Sequence, residues 1–248
     1  METLFIGQTR LHYPSCDSTN RLLKEKADQE NLAEGFLLSS GFQTAGKGQG
    51  SRVWQSAPDA NLLASLLLRP VWLSAEKSFL LNMAVSLGVR ECVEVLSGRE
   101  AQIKWPNDIL VDDHKIAGLL IENIFLGSAW KYAVCGIGLN VLQTDFKEIP
   151  YATSLRLLTE KTISQNDVIL SLCYYIEKYY LQLKKQHHHF LEKAYTQSLW
   201  RFQHTSPFRI GEKTVEGEIE GVDNRGRLGI RIQGNIQFFT HGHVEYVR

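Results

Sequence analysis

The segment with the most chemical content is residues 41–54, which reads Gly-Phe-Gln-Thr-Ala-Gly-Lys-Gly-Gln-Gly-Ser-Arg-Val-Trp. Gly41 through Lys47 spells the G-x-x-x-x-G-K of a phosphate-binding loop, but Gly48 stands where a magnesium-holding Ser or Thr belongs. That substitution weakens an NTPase reading. Ser51 replaces the third glycine of a dinucleotide fingerprint, and strong helix signals do not follow. What remains is a flexible cationic loop whose backbone amides can meet an anion. Lys47 and Arg52 supply charge, and Trp54 supplies a flat apolar face. Taken alone, the same glycines also fit an ordinary surface turn.

A second segment supports the first. It runs Ile103-Lys104-Trp105-Pro106-Asn107-Asp108-Ile109-Leu110-Val111, then Asp112-Asp113-His114-Lys115, then Ile116-Ala117-Gly118. Pro106 forces Trp105 to be extended and cannot donate to a ladder, so a strand is expected to end there with Asn107 and Asp108 at its mouth. A turn over 112–115 would bring Lys115 back to the same place, where a cation suits a carboxylate or phosphate. The alternative is that Asn107 and Asp108 are turn formers and Lys115 a solvated charge.

The elements that must position these groups follow from periodicity. A helix is expected over 74–97, with Ser74 as N-cap and Gly98 past its end. A second begins near Ser164, and its face, which includes Val168, Leu172, Ile176 and Tyr180, reads as core. A third carries Phe190 to Phe202 and stops before a break at Thr205-Ser206-Pro207. Strands are expected at 36–40, 62–68, 109–111, 116–121 and 132–141. From Arg209 the chain alternates in period two, with Leu228, Ile230 and Ile232 on one face and turns at 223–226 and Gly234-Asn235. This order fits an α+β layer over 1–205 and a small β-domain over 206–248.

Composition narrows the function classes. The 248 residues hold 27 Lys+Arg against 27 Asp+Glu, so the formal charge is zero and a wrapped polyanion such as DNA is not the expected partner. The longest strongly apolar stretch, 62–68, is far short of the roughly 20 residues of a membrane span. No secretory pattern opens the chain, and a cytoplasmic location is expected. Cys16, Cys92, Cys135 and Cys173 form no C-x-x-C pair and read as small buried residues. His187-His188-His189 reads as a solvated turn, because adjacent residues point in different directions and no fourth ligand is near; no metal site is expected.

Five ordered blocks then resemble the signature of the biotin protein ligases: Asp17-Ser18-Thr19-Asn20, the Gln43 to Trp54 loop, Lys104 to Asp108, Lys115 to Gly118, and Gly136-Ile137-Gly138-Leu139-Asn140. The likeness covers almost the whole chain, and Gly211 onward is similar to the family's small SH3-like barrel. It implies a class II synthetase-like mixed sheet with flanking helices plus that barrel. The implied reaction joins biotin to the α-phosphate of ATP, releases pyrophosphate and passes the biotinyl group to a lysine of a biotin carboxyl carrier protein.

Site residues follow from the same resemblance. Ser18, Thr19, Asn20 and Gln43 suit the ureido ring of biotin; on their own, Ser18 and Thr19 would be an N-cap. Gly46, Gly48 and Gly118 let backbone approach the ligand, with Lys47, Gln49 and Lys115 beside biotin. Trp54, Asn107, Asp108 and Asn140 match positions around the adenylate, which Lys47, Gln49, Arg52 and Lys115 also face. Lys47, Arg52 and Lys115 are the catalytic cations, and Asp108 the base or amine-orienting group. Magnesium is expected to arrive on ATP. The family usually has arginine at the place of Gln49, and Gly50-Ser51 inverts the commoner order. The winged helix of repressor relatives is missing, so a ligase-only type is expected, as monomer or homodimer. The rivals are a lipoate or octanoate ligase or transferase, and a non-catalytic biotin sensor.

Overall fold

The computed structural model describes residues 2–50, 52–127, 129–147 and 149–247; Ser51, read above against the dinucleotide fingerprint, lies outside the described residues. A seven-stranded sheet contains β1 (Arg10–Tyr13), β2 (Leu37–Ser40), β3 (Asn61–Leu68), β4 (Gln102–Lys104), β5 (Asp108–Val111), β6 (His114–Leu126) and β7 (Ala129–Asn140). Their order is β1-β2-β3-β7-β6-β5-β4. Only β1 and β2 run parallel, so the sheet is mixed. The helices are α1 (Thr19–Gln29), α2 (Phe79–Ser97), the single turn α3 (Leu155–Leu158), α4 (Gln165–Lys184) and α5 (His188–Gln197).

β3 shows how sequence becomes layer. All eight of its residues are buried because helices cover both faces. Leu62, Ala64, Leu66 and Leu68 join the large core that holds α2 and α4, while Leu67 packs with Leu23 and Ala27 of α1. Ser65 shares the α1 face and turns its hydroxyl to the start of that helix. A serine inside Leu-Leu-Ala-Ser-Leu-Leu-Leu therefore marks where the core gives way to a polar site.

Helix ends follow local chemistry. Ser164 and Asp167 form a capping box at α4. Gly98 ends α2 at φ 72° and donates its N–H to Glu94 O at 2.8 Å. α2 starts at Phe79, later than Ser74 suggested, because 75–77 tighten into a 3-10 turn. α5 stops at Gln197 and leaves out Phe202, since Ile103 N–H bonds Ser198 O and Trp200 N–H bonds Ile103 O, laying this stretch against β4. His188 is also half-buried, with a pKa lowered chiefly by burial, so the histidine run is not wholly solvated. Cys16 is likewise half-exposed, whereas the other three cysteines are buried. Among the described residues no helix is long and apolar enough to cross a membrane.

Pro207 lies inside a strand instead of at a break. The second sheet, all antiparallel, contains β8 (Ser206–Ile210), β9 (Lys213–Val222), β10 (Leu228–Ile232), β11 (Asn235–Phe239) and β12 (Glu245–Tyr246), in the order β11-β10-β9-β8-β12. Its β10–β11 turn has left-handed Gln233 and Gly234, one residue earlier than Gly234-Asn235. Phe208, Ile219, Leu228 and Ile230 join the same core as α2 and α4.

The 223–226 turn ties the second sheet to the segment that carries Asn107 and Asp108. Gly226 has φ +78°, and its carbonyl accepts from Trp105 Nε1 at 3.0 Å. A Cβ there would meet Phe79 Cδ2 at 2.2 Å. Gly226→Ala is expected to cost about 2–4 kcal/mol, from left-handed strain plus overpacking against a ring. The urea midpoint should fall with the slope unchanged, and a midpoint equal to wild type would contradict this packing.

Candidate functional site

Strand register paves one face of the large sheet with glycine. Leu63, Gly138, Gly118 and Asp108 form a row across β3, β7, β6 and β5, and Ser65, Gly136 and Leu120 form the next. A cleft of ≈ 110 Å³ opens over this floor. Its rim is α1's first residues, the 46–54 loop and the β5–β6 hairpin.

The hairpin solves a spacing problem. Lys115 and Gly118 are three apart, so a regular strand would point them to opposite faces. The ladder shifts between Ile109 and Leu110, where Ile109 pairs Ala117 but Leu110 pairs Lys115. That irregularity sends Ile116 and Ala117 both into the core and leaves Lys115 and Gly118 both lining the cleft. Asp112 and Asp113, at φ 48° and 62°, form the left-handed turn, which Asp tolerates better than most residues. Lys115 Nζ then lies 2.6 Å from Asp108 Oδ1 and 5.4 Å from the Trp54 ring centroid.

The glycine loop is closed on itself. Gly48 N–H bonds Arg52 O at 2.8 Å and Trp54 N–H bonds Gly46 O at 3.1 Å, so residues 46–48 and 52–54 pair as a short antiparallel hairpin stem. Its indole lies on the floor: a Cβ on Gly138 would meet Trp54 Cε2 at 2.4 Å, and one on Gly118 would meet Cζ3 at 3.0 Å. Trp54 Nε1 and Gln49 Oε1 are buried without hydrogen-bond partners among the described residues, which is the condition of polar atoms awaiting a ligand. Lys47 and Arg52 are exposed at the rim.

At the other end a chain of hydrogen bonds fixes α1. Gln43 Oε1 accepts from Thr19 N at 2.7 Å and Thr19 Oγ1 at 3.0 Å. Ser65 Oγ lies 2.8 Å from Thr19 Oγ1 and 2.6 Å from Asn20 Oδ1. Asn20 Nδ2 donates to Leu120 O and to Glu122 Oε2, which holds Lys24 through its other oxygen. Asn20 is therefore spent on protein partners and orients the site. Ser18 is the N-cap residue by position but makes no side-chain capping bond, which leaves its hydroxyl available. The α1 amino terminus, with no acidic residue in its first turn, adds positive potential to the cleft.

Thirteen of the sequence-derived residues line one cleft: Ser18, Thr19, Asn20, Gln43, Lys47, Gly48, Gln49, Arg52, Trp54, Asn107, Asp108, Lys115 and Gly118. Two do not. Gly46 is buried behind the loop, and a Cβ there would meet Trp54 O at 2.7 Å, so its role is to let the hairpin close. Asn140 donates Nδ2 to Thr153 O at 2.9 Å and braces the chain beyond β7. Asn107 lines the cleft with its amide nitrogen bound to Leu119 O at 2.6 Å. Sequence reasoning quoted the 136–140 block but gave no role to Gly136 and Gly138, which line the cleft, and missed Ser65, which bonds Thr19 and Asn20 beside it; the glycines' spacing of two on a strand was the available signal. A Cβ on Gly136 would meet Asn20 Oδ1 at 2.3 Å.

Comparison with known proteins gives the family and the fold. Residues 13–140, just over half the chain, match the model of the biotin/lipoate A/B protein ligase family. The bifunctional ligase/repressor BirA of Bacillus subtilis is 34% identical over 73% of this chain and 56% of its own length. The biotin–[acetyl-CoA-carboxylase] ligase of Mycobacterium tuberculosis is 29% identical over 93% of this chain and 86% of its own. The biotin protein ligase of Aquifex aeolicus in complex with biotin and ATP superposes with a TM-score of 0.81, at 26% identity, over 97% of this chain and 99% of that one. With the mixed sheet, its helices and the second antiparallel sheet all accounted for, the chain belongs to the biotin/lipoate A/B protein ligase family.

Proposed function

We propose that the protein activates biotin as biotinyl-5′-AMP and transfers the biotinyl group to a lysine of a biotin carboxyl carrier protein. The observation that carries this reading is the convergence of Lys47, Arg52 and Lys115, with a single carboxylate, Asp108, on a glycine floor. A carboxylate and a triphosphate repel each other, and fixed cations offset that repulsion in a site that needs no reorganisation. A biotin carboxylate oxygen attacks the α-phosphorus, an O–P bond forms, and pyrophosphate leaves. Ser18 and the free amide nitrogen of Gln43 hold the ureido end, while Trp54 flanks the adenylate. In the second step the lysine nitrogen attacks the acyl carbon, a C–N bond forms and AMP departs. Asp108 orients the incoming amine.

The chain offers no cage for magnesium: Asp108 is already paired with Lys115, and no group of three His, Cys, Asp or Glu side chains is gathered among the described residues. Magnesium would be held by the oxygens of ATP, and no step above rests on it. Incorporation of biotin into a purified carrier domain with ATP and magnesium tests the reading. Tight biotin binding without incorporation would favour a sensor. Pyrophosphate exchange dependent on lipoate instead of biotin would favour the lipoate branch.

Gln49 bears on adenylate retention. A charged hydrogen bond is worth about 1.5–3 kcal/mol, and a neutral amide forgoes part of that. Gln49→Arg is expected to slow release of biotinyl-AMP by about tenfold and to reduce labelling of bystander lysines. Equal release rates in the two proteins would refute the role given to this position.

A further inference from the structure

The start of α1 is held on the sheet by matched spacings. Asn20 and Lys24 are four apart on the helix and Leu120 and Glu122 two apart on β6, so each pair spans about 6–7 Å on one face. One carboxylate therefore meets both helix residues. Asn20 Nδ2 donates to Glu122 Oε2 at 2.8 Å, and Lys24 Nζ donates to Glu122 Oε1 at 3.0 Å. The other Nδ2 hydrogen goes to Leu120 O at 3.1 Å. A carboxylate and a carbonyl only accept, so the amide nitrogen must face them, and Oδ1 must face Ser65 Oγ, which donates to it at 2.6 Å. Gly136, paired with Leu120, leaves open the space that Oδ1 occupies. Ser18, Thr19, Asn20 and Gln43 line the cleft, whereas Glu122 and Lys24 stand outside it.

Asn20 and Ser65 are both buried, so water has little access to replace a lost partner. Without Glu122, one Nδ2 hydrogen is left unpaired, and the amide must turn toward the polar atoms that remain. The nearest is Ser65 Oγ, which also contacts Thr19 Oγ1, and Thr19 in turn fixes Gln43 Oε1. A disturbance at Asn20 therefore runs along this chain to the groups assigned above to the ureido ring. We propose that Glu122 is a positioning residue for biotin: acting through Asn20, it holds that corner of the cleft and sets the affinity for biotin without touching it. The inference rests on the ligase reading above. The ureido ring lies away from the reacting carboxylate, so its contacts are equal in the ground state and the transition state. Their loss appears in KM for biotin and leaves kcat in place. The ion pair with Lys24 is secondary, because both side chains are more than a third exposed, at 37% for Lys24 and 35% for Glu122.

The test compares Glu122→Ala, Glu122→Gln and Lys24→Ala in biotin-dependent ATP–pyrophosphate exchange, with biotin affinity measured separately by calorimetry. Glu122→Ala should raise both KM and Kd for biotin about tenfold, the effect of leaving one buried donor unpaired. Its kcat at saturating biotin and its KM for ATP should stay within about twofold of wild type. Glu122→Gln keeps an acceptor for Asn20 Nδ2 and should recover most of the affinity. Lys24→Ala should change it by no more than about threefold. In an Asn20→Ala background, Glu122→Ala should have no further effect on Kd, because the path through Asn20 is already cut. A wild-type biotin Kd in folded Glu122→Ala protein would overturn the proposal. So would an equal loss in Glu122→Gln and Lys24→Ala, which would assign the effect to the ion pair, or a fall in kcat with Kd unchanged, which would mean general damage to the fold. Absence of biotin-dependent exchange in the wild type would instead refute the ligase reading itself.

Discussion

Lys115→Ala is expected to lower biotin-dependent ATP–pyrophosphate exchange by about 10²–10³-fold, the loss seen when one preorganised charge-stabilising group is removed. Three contacts hold its ammonium: Asp108 at 2.6 Å, the Trp54 face at 5.4 Å, and the surface of Gly118, which leaves room for its stem. The side chain therefore needs no rearrangement to meet a substrate anion. At about 4 Å and an effective dielectric of 20, two unit charges interact by about 4 kcal/mol, enough to account for the whole effect. Lys115→Arg separates charge from shape. It retains the charge, but a planar guanidinium is wider than the space over Gly118, so only part of the activity should return. Because the Asp108 side chain is 15% exposed, loss of its partner also destabilises the fold. Thermal melts of both variants must accompany the kinetics. Exchange within about fivefold of wild type in a folded Lys115→Ala protein would exclude an electrostatic role for this residue.

How far the site was legible in sequence depended on whether its determinants were local. Asn107, Asp108 and Lys115 announced themselves through a proline and a tight turn, and they do meet. The reason that Lys115 and Gly118 share a face was hidden, because the ladder irregularity beside Ile109 exists only once β5 and β6 are paired. The glycine loop showed its charges but not its closure, which depends on bonds between Gly46 and Trp54 and between Gly48 and Arg52. β1, with the sequence Arg-Leu-His-Tyr, has too few apolar residues to be seen as a strand and forms by pairing with β2. Asn140 was placed near the nucleotide by resemblance, yet its amide is taken by Thr153 O. Polar residues in strands can serve a ligand or brace the backbone, and only the three-dimensional partner list decides between them.

Gly138→Val tests the floor on which the whole site rests. Gly138 is not in the left-handed region, and it pairs with Leu63 of β3 and Gly118 of β6, so a valine suits the backbone and its β-propensity. The obstacle is the indole. A Cβ at this position would lie 2.4, 2.6 and 2.8 Å from three carbons of Trp54, and a rigid aromatic ring cannot yield by changing shape. The ring must leave the floor, and the added methyl groups then fill the space it occupied. On the reading above, Trp54 is one wall of the adenylate site, so wall and floor are lost together. Exchange should fall more than about 100-fold, which corresponds to about 2.7 kcal/mol of lost transition-state stabilisation. The melting temperature should change by only a few degrees, because overpacking at an open cleft is relieved by movement of the loop and not of the core. Biotin should still bind by calorimetry, because Ser65, Thr19, Gln43 and Asn20 form a separate network around Gly136. A Gly138→Val enzyme with near-wild-type exchange would mean that the indole does not shape the nucleotide site.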